Sequence, residues 1–360
     1  MARPFRLSGI EGARALLIER RCIQLDPLDP MGTNADLVAM ARVDGLKKGE
    51  IYSALLPGHG FEHFAKERCL LPPSAFPYYR DQAVQTPWWR MGDREKRLPP
   101  ELIEQVRLEV ARRGPITGAD ITDHGSVEPL NWHGWKSTNR ATQMALQVLW
   151  RRCRVVVCGR TSAGKLYDVP ERALPEVAAA ASGDFARWAV LERVEAAGLL
   201  SRSDGPQWSM LYDIRRSPLP DALVAEGLLR EVVIRGSRRR YLAPANWRDR
   251  PVDQPDDRMR IVGPLDPMIG DRKLTQQAFD FEYLWEVYKP AAKRRWGWYV
   301  CPLLHAGRLV GRVEARVRQN RLEVDNLWGE RIPRGPLKAA LRRHARGLGA
   351  ESVVLEGAEI

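Results

Sequence analysis

Cysteine and histidine are both sparse in this chain, and their spacing excludes the chemistry they most often carry. The five cysteines, Cys22, Cys69, Cys153, Cys158 and Cys301, are odd in number and only Cys153 and Cys158 lie close together. No C-x-x-C occurs, so neither a disulfide framework nor a zinc site follows. The six histidines form no cluster at helical or knuckle spacing. We therefore expect reduced thiols, no metal, no cofactor and a cytoplasmic setting. Long apolar runs are missing too, and the stretch MARPFRLSGIEGARALLIER lacks the apolar centre of a secretion signal, so no membrane association is expected. Negative charge is the last deficit: 45 Asp and Glu face 57 Lys and Arg, for a net +12 over 360 residues. Nucleic acid is the first partner to weigh against that excess. An arginine-rich composition describes a solvated surface equally well, so charge needs support from architecture.

With 44% hydrophobic residues, the chain is long enough for two or three domains with their own cores. Ser8 followed by Glu11 is a capping-box pattern, and Ile10, Ala13, Leu16 and Leu17 mark one face of a helix to about Arg20. Further helices are expected from Asn34 to Leu46 and from Gly49 to Leu56. The aromatic stretch Phe61 to Arg80 ends in prolines that break regular structure. Pro115 to Asp120 opens a short helix, Ser137 to Arg151 forms a longer one, and Val155 to Tyr167 reads as a β-hairpin with Arg160 and Lys165 near its tip. Helix, helix, hairpin is the order of a winged-helix module.

A second copy follows. Phe185 to Gly198 and Ser217 to Gly227 read as helices, and Glu231 to Gly236 as a strand entering a turn. Val155-Val-Val-Cys-Gly159 parallels Val232-Val-Ile-Arg-Gly236, and Tyr167-Asp-Val-Pro170 parallels Tyr241-Leu-Ala-Pro244. Tandem modules explain this, although short Val-rich hairpins can also resemble each other by chance. Trp247 to Arg260 is a polar linker, beyond which Gly297 to Leu304, Leu309 to Arg318 and Arg321 to Trp328 read as antiparallel strands. A helix from Pro336 to about Gly347 and a strand from Ser352 to Leu355 complete the chain.

The most informative segment is Gln24-Leu25-Asp26-Pro27. A residue before proline is pushed out of the helical region, and in an extended chain residues i and i+2 face the same side. Gln24 and Asp26 then face one space, whereas on a helix they would diverge by about 200°. A carboxylate beside an amide, in a basic protein, suits attack on a glycosidic bond in DNA. A turn-forming Asp and a surface Gln are the bland alternative. Asp26, Asp29 and Asp36 could suggest a metal cluster, but they lack EF-hand spacing and Asp29 or Asp36 also suits a helix cap. Gly159 to Lys165 matches the start of a phosphate-binding P-loop, yet Leu166 follows where Ser or Thr is needed and a strand follows where a helix is needed. Lys289 to Trp298 interleaves cations with Trp296 and Trp298, which could hold phosphates beside a stacking surface or pack inside a β domain.

Several ordered motifs resemble those of the AlkX/AlkZ (YcaQ-like) winged-helix DNA glycosylases. They are Gln24-Leu25-Asp26, Phe64-Ala-Lys-Glu67 with Pro72, Gly114-Pro115, Gly263-Pro-Leu-Asp266-Pro267, Asp271-Arg272, Phe279-Asp-Phe281-Glu-Tyr283, Tyr288-Lys-Pro290, Lys293-Arg294, and Pro302-Leu-Leu304 with Leu309-Val-Gly-Arg312. The resemblance covers nearly the whole chain. It implies an α+β fold of tandem winged-helix modules followed by a C-terminal antiparallel β-barrel-like domain. Expected boundaries are 1–113 for an N-terminal winged-helix-like domain, 114–173 and 174–250 for two further winged helices, and 251–360 for the β domain. It also implies a monofunctional glycosylase for alkylated bases, including N7-guanine adducts and interstrand crosslinks, whose Gln-x-Gln/Asp signature falls on Gln24 and Asp26.

An N7-alkylated guanine is already a cationic leaving group, so the enzyme needs to stabilise an oxocarbenium-like sugar and direct water rather than supply an acid. Expected DNA contacts are Lys66, Arg140, Arg160, Lys165, Arg238, Arg239, Arg240, Lys293, Arg294 and Arg295. The partner is double-stranded DNA with alkylated bases, met by a monomer in the nucleoid. Relatives tend to carry Trp-Ala-His-Glu where this chain has Phe64-Ala-Lys66-Glu67, which leaves lesion preference open. A non-enzymatic winged-helix DNA-binding protein or transcription regulator is the competing reading, though it gives Gln24 and Asp26 no task.

Overall fold

The computed structural model describes residues 7–82, 96–127, 139–250 and 254–360. Helix at 37% exceeds strand at 23%, so the chain belongs to the mixed α+β class. Two compact units form, and neither is continuous in sequence: one takes residues 1–54, 64–69 and 189–360, the other 55–63 and 70–188.

In the first unit the helix Gly9–Arg20 buries Ala13, Leu16 and Leu17, but Ile10 stays 52% exposed. No capping box forms, because the Glu11 carboxylate is captured by Arg14 at 2.5 Å, and Ser8 makes no side-chain cap bond. The box appears instead at the next helix, where Thr33 and Asp36 cap each other's amides. That helix, Asn34–Met40, stops short of Leu46, since Val43–Asp44 pairs in parallel with Leu7–Ser8 and commits its backbone to a strand. Glu50–Leu55 is helical as expected. The aromatic stretch is more regular than its prolines suggest: Phe61–Phe64 and Arg68–Leu71 are strands, and Phe76–Gln82 is a helix that takes Pro77 in its first turn, where a missing amide hydrogen costs nothing.

Two sub-structures repeat, one in each unit. In the second unit the helix Pro100–Arg113 leads to the strand Ile116–Thr117, the helix Ala141–Arg151 and the hairpin Val156–Thr161 with Gly164–Asp168. Of the helix expected from Ser137, residues 137–138 lie outside the described residues, and Asn139–Arg140 are a strand instead, paired with Ser126–Val127. The helix Phe185–Ala197, in the first unit from residue 189 on, leads to Leu200–Ser201, the helices Tyr212–Arg216 and Leu219–Ala225, and the hairpin Leu229–Val233 with Arg240–Pro244. Each sheet places the returning hairpin strand in the centre, flanked by the short strand and the outgoing one. The short helix expected at Pro115 to Asp120 is therefore a strand and a turn, because Thr117 and Ile116 pair with Leu166 and Tyr167. The sequence parallel between the hairpins is also two residues out of step. Tyr167 sits opposite Val157 and Tyr241 opposite Val232, so Val157, not Val155, corresponds to Val232.

Residues 254–360 build a six-stranded sheet in the order Arg260–Ile261, Val300–His305, Arg308–Arg318, Arg321–Trp328, Ser352–Leu355 and Ala358–Glu359. Its order is linear with two edges, so it is open where a barrel-like closure was expected. It is not wholly antiparallel either: Arg321–Trp328 and Ser352–Leu355 run parallel, joined through the helix Arg334–Leu348, as parallel neighbours require a crossover. The linker expected over Trp247 to Arg260 ends where the first of these strands begins, and its residues 251–253 lie outside the described residues. Met31 and Leu37, both fully buried, join Tyr299, Cys301, Leu303 and Leu341 in the core of this sheet and helix.

Candidate active site

Ile23–Gln24 is extended, and the Leu25 amide donates to the Arg68 carbonyl at 2.8 Å. Pro27 then turns the chain, with the Leu28 amide donating to Asp26 Oδ1 at 3.0 Å. The segment is propped from behind. Asn34, fully buried, donates from Nδ2 to the Gln24 carbonyl at 2.8 Å and accepts from the Leu265 amide at 3.3 Å. Gly263 permits this approach, since a Cβ there would come within 2.9 Å of the Asn34 amide oxygen. Pro30 and Met31 carbonyls accept from the Val317 amide at 2.9 Å and from His344 Nε2 at 2.8 Å. Gln24 and Asp26 are thus carried by a short strand and turn seated on the C-terminal sheet, and both stay half-buried.

Among the described residues Asp26 makes no ion pair. Burial lifts its carboxyl above the usual aspartate range, with the Leu28 amide pulling the other way. Burial likewise lifts Glu67, against the nearby Lys66. Tyr299, 1% exposed, has its phenol held well above the ordinary range by burial, then by Cys301 and Asp26. It stays protonated. The Asp26 charge reaches it from a distant part of the sequence, so no local signal shows the coupling. Asp29 instead accepts from the Gly32 amide at 3.0 Å and pairs with Lys48 at 2.6 Å, while Asp36 serves the Thr33 cap. No group of three or more metal-ligating side chains occurs among the described residues.

The motif around Asp266 is scaffolding for this seat. Asp266, fully buried, receives Arg42 through two bonds of 2.7 and 2.8 Å, and Asp271 caps the helix Arg272–Phe279 while holding Arg239 at 2.9 Å. Arg272 donates to the Pro264 and Ile269 carbonyls and stacks 4.5 Å from the Tyr283 ring centre.

The expected DNA-contacting cations occupy very different settings. Lys66 is only 7% exposed and lies near the buried thiols of Cys22 and Cys69 beside Arg193. A hydrogen bond from Cys69 draws the Cys22 thiol down to about 6 against its burial, and burial drives the Cys69 thiol up. Arg140 is exposed at the start of the helix Ala141–Arg151. Arg160 and Lys165 face each other across the hairpin, as expected, but both reach the buried Glu62, which Arg160 contacts and Lys165 approaches at 3.7 Å. In the other hairpin Arg238 is exposed, Arg240 pairs with Glu231 at 3.2 Å, and Arg239 is tied to Asp204, Asp271 and Ser201. Lys293 is exposed in the turn Ala291–Lys293, and Arg294 donates back to the Lys289 carbonyl at 2.8 Å. Arg295 pairs with Glu282 and covers Trp296, which also meets Trp328 edge-on and takes Arg312 over its face at 4.1 Å. Trp296 is accordingly packed between cations and an aromatic neighbour.

Gln24 and Asp26 thus place a half-buried amide and carboxylate two residues apart on one short strand and turn of a basic α+β protein. The family model for AlkZ-like DNA glycosylases matches residues 20–350, and the chain belongs to that family. It is a DNA glycosylase, a hydrolase of DNA repair that binds DNA. The solved structure of DNA glycosylase AlkZ from Streptomyces sahachiroi has a similar fold, with a TM-score of 0.56 and 16% identity over 98% of this chain and 95% of that one. Among the described residues no helix is long and apolar enough to cross a membrane.

Proposed function

We propose that this glycosylase hydrolyses the N-glycosidic bond of alkylated bases, N7-alkylguanines first, by a monofunctional route in which Asp26 and Gln24 handle the sugar and the water. The observation that carries this reading is Asp26 itself: a half-buried carboxylate without a cationic partner among the described residues, with its pKa raised by burial. Such a group is a stronger base than a solvated aspartate and has its charge unspent when positive charge develops at C1′. Its carboxylate offsets that charge and accepts a proton from water, and the Gln24 amide orients the water. The departing alkylpurine is already cationic, so no acid has to protonate it. The product is an abasic site with no Schiff base.

The repeated helix, strand, helix and hairpin units support tandem winged helices, with Arg140, Arg238, Arg240 and Lys293 as the exposed cations for phosphate. Crosslink unhooking, action as a monomer and a nucleoid setting belong to the same reading. Incubation with duplex DNA containing N7-methylguanine or a nitrogen-mustard crosslink, scored for abasic sites, tests it. Release of base is expected from the native chain, with rates about 100-fold or more lower for Asp26→Asn and reduced for Gln24→Ala. Unchanged rates in both variants would sink the mechanism, and binding without release from any alkylated duplex would favour a lesion-binding role. Borohydride during turnover should trap no covalent complex; trapping that disappears in Lys66→Ala would replace hydrolysis by amine chemistry.

A further inference from the structure

The first unit contains a cavity of about 330 Å³ between the edge strand Arg260–Ile261, the helix Arg334–Leu348 and the segment from Met40 to Lys47. The walls meet closely: the Lys48 amide donates to the Gly347 carbonyl at 2.8 Å, and a Cβ at Gly347 would come within 2.6 Å of Met40 Sδ. Lys47, Arg260, Arg343 and Arg346 line it, with Asp44 as its one carboxylate. That carboxylate is already engaged by Arg258 at 2.8 Å, as Asp256 is by Arg260 at 2.7 Å and Asp266 by Arg42. Arg343 donates to the Met259 carbonyl at 2.5 Å. His344 adds no charge, because burial, against its bond to the Met31 carbonyl, draws it down to about 4. Burial also lowers Arg260 and Arg343 below the ordinary arginine range, against the pull of Asp256 on Arg260 and of Asp44 on Arg343, and the like charges of neighbouring arginines add to the lowering. Crowded, partly desolvated cations of this kind are stabilised by an anion that can accept several N–H bonds at once.

Val43, Leu46, Ile261 and Ala340 add an apolar wall. A cavity of this size lies at the small end of the ligand-site range of about 300–1,000 Å³. We propose that this pocket binds a phosphate group carried on a small organic body, with Lys47, Arg343 and Arg346 on the phosphate, Arg260 behind them and the sugar or base against the apolar wall. The phosphate can be presented by a free nucleoside monophosphate or by a nucleotide of a DNA strand. The inference does not rest on the Asp26 mechanism.

Lys47 and Arg346 are exposed, so charge reversal at either leaves the core intact. Titration of the full chain with deoxyadenosine monophosphate and with inorganic phosphate, at constant ionic strength, should give saturable heat and a rise in Tm. Lys47→Glu and Arg346→Glu should each weaken binding about tenfold, whereas Arg342→Glu, exposed on the same helix but outside the pocket, should not. If neither probe binds but undamaged duplex loses affinity in the two pocket variants alone, the phosphate comes from DNA. The proposal is overturned if no probe saturates and duplex affinity is unchanged, or if Arg342→Glu weakens binding as much as the pocket variants do.

Discussion

Asp26 and Glu286 belong to the same unit, and their surroundings treat the same functional group in opposite ways. Glu286, 2% exposed, would be pushed up by its burial, but Lys289 at 2.8 Å and the amides of Trp296 and Arg295 outweigh that and hold it at about 2. Asp26 has one amide and no ion pair among the described residues, so burial wins and its carboxyl is raised. Glu286 spends its charge on the fold, fastening the basic-aromatic turn after Tyr288. Asp26 keeps its charge available and costs the fold something for it. The difference teaches how to separate a carboxylate committed to the fold from one left available for chemistry, the role proposed for Asp26, when both are partly hidden.

The largest effect expected from breaking this comparison is on chemistry. Asp26→Asn should remove base release while leaving the Leu28 bond, since its amide oxygen still accepts, and should make the protein slightly more stable at neutral pH. Next is stability. Glu286→Gln removes the charge from an ion pair whose Lys289 side is solvent-exposed and should cost about 1–2 kcal/mol in urea unfolding, with base release per folded molecule retained; a loss of stability equal in the two variants would erase the distinction.

A pH series sharpens it further, because the signs differ. A depressed carboxyl stabilises the folded state above its unfolded pKa, so the Glu286 contribution should be present above about 4.3 and be lost as pH falls through about 2. A raised carboxyl works the other way: the cost of the Asp26 charge is felt above its folded pKa and fades as acid protonates it. Single-turnover rates should accordingly fall on the acid side at a pH above the ordinary aspartate value of about 3.9, and this limb should vanish in Asp26→Asn. The smallest effect concerns the hairpins. Arg238→Ala should lower the slope of log affinity against log salt by about 1, while Arg239→Ala should chiefly destabilise, since Arg239 is bonded to Asp204 and Asp271.

Much of the fold was legible because it is written in local period and punctuation. The helix at Ala13 to Leu17, the hairpin at Val156 to Asp168 and the strands from Val300 to Trp328 all follow from apolar spacing. Errors fell where partners are distant. Ile116 and Thr117 became a strand only because Leu166 and Tyr167 return beside them. Val43 left its helix for Leu7, and Lys66, read as a surface cation, turned inward beside two thiols. The hairpin repeat was found from its valines, yet its register is set by the opposing tyrosines.

The sequence by itself determined that Gln24 and Asp26 stand on an extended segment, since Pro27 restricts the residue before it whatever surrounds the chain. It determined the basic charge, the absence of zinc spacing and the repeated hairpins, all of which are properties of neighbours along the chain. Only the tertiary structure decided that Asp26 is half-buried with no ion pair among the described residues, that its charge is felt by the buried Tyr299, and that Asn34 and the Gly263 to Asp266 turn hold its segment in place. Burial and electrostatic environment are sums over residues brought together by folding, here from as far apart as Asn34 and Leu265, and no local pattern encodes such a sum.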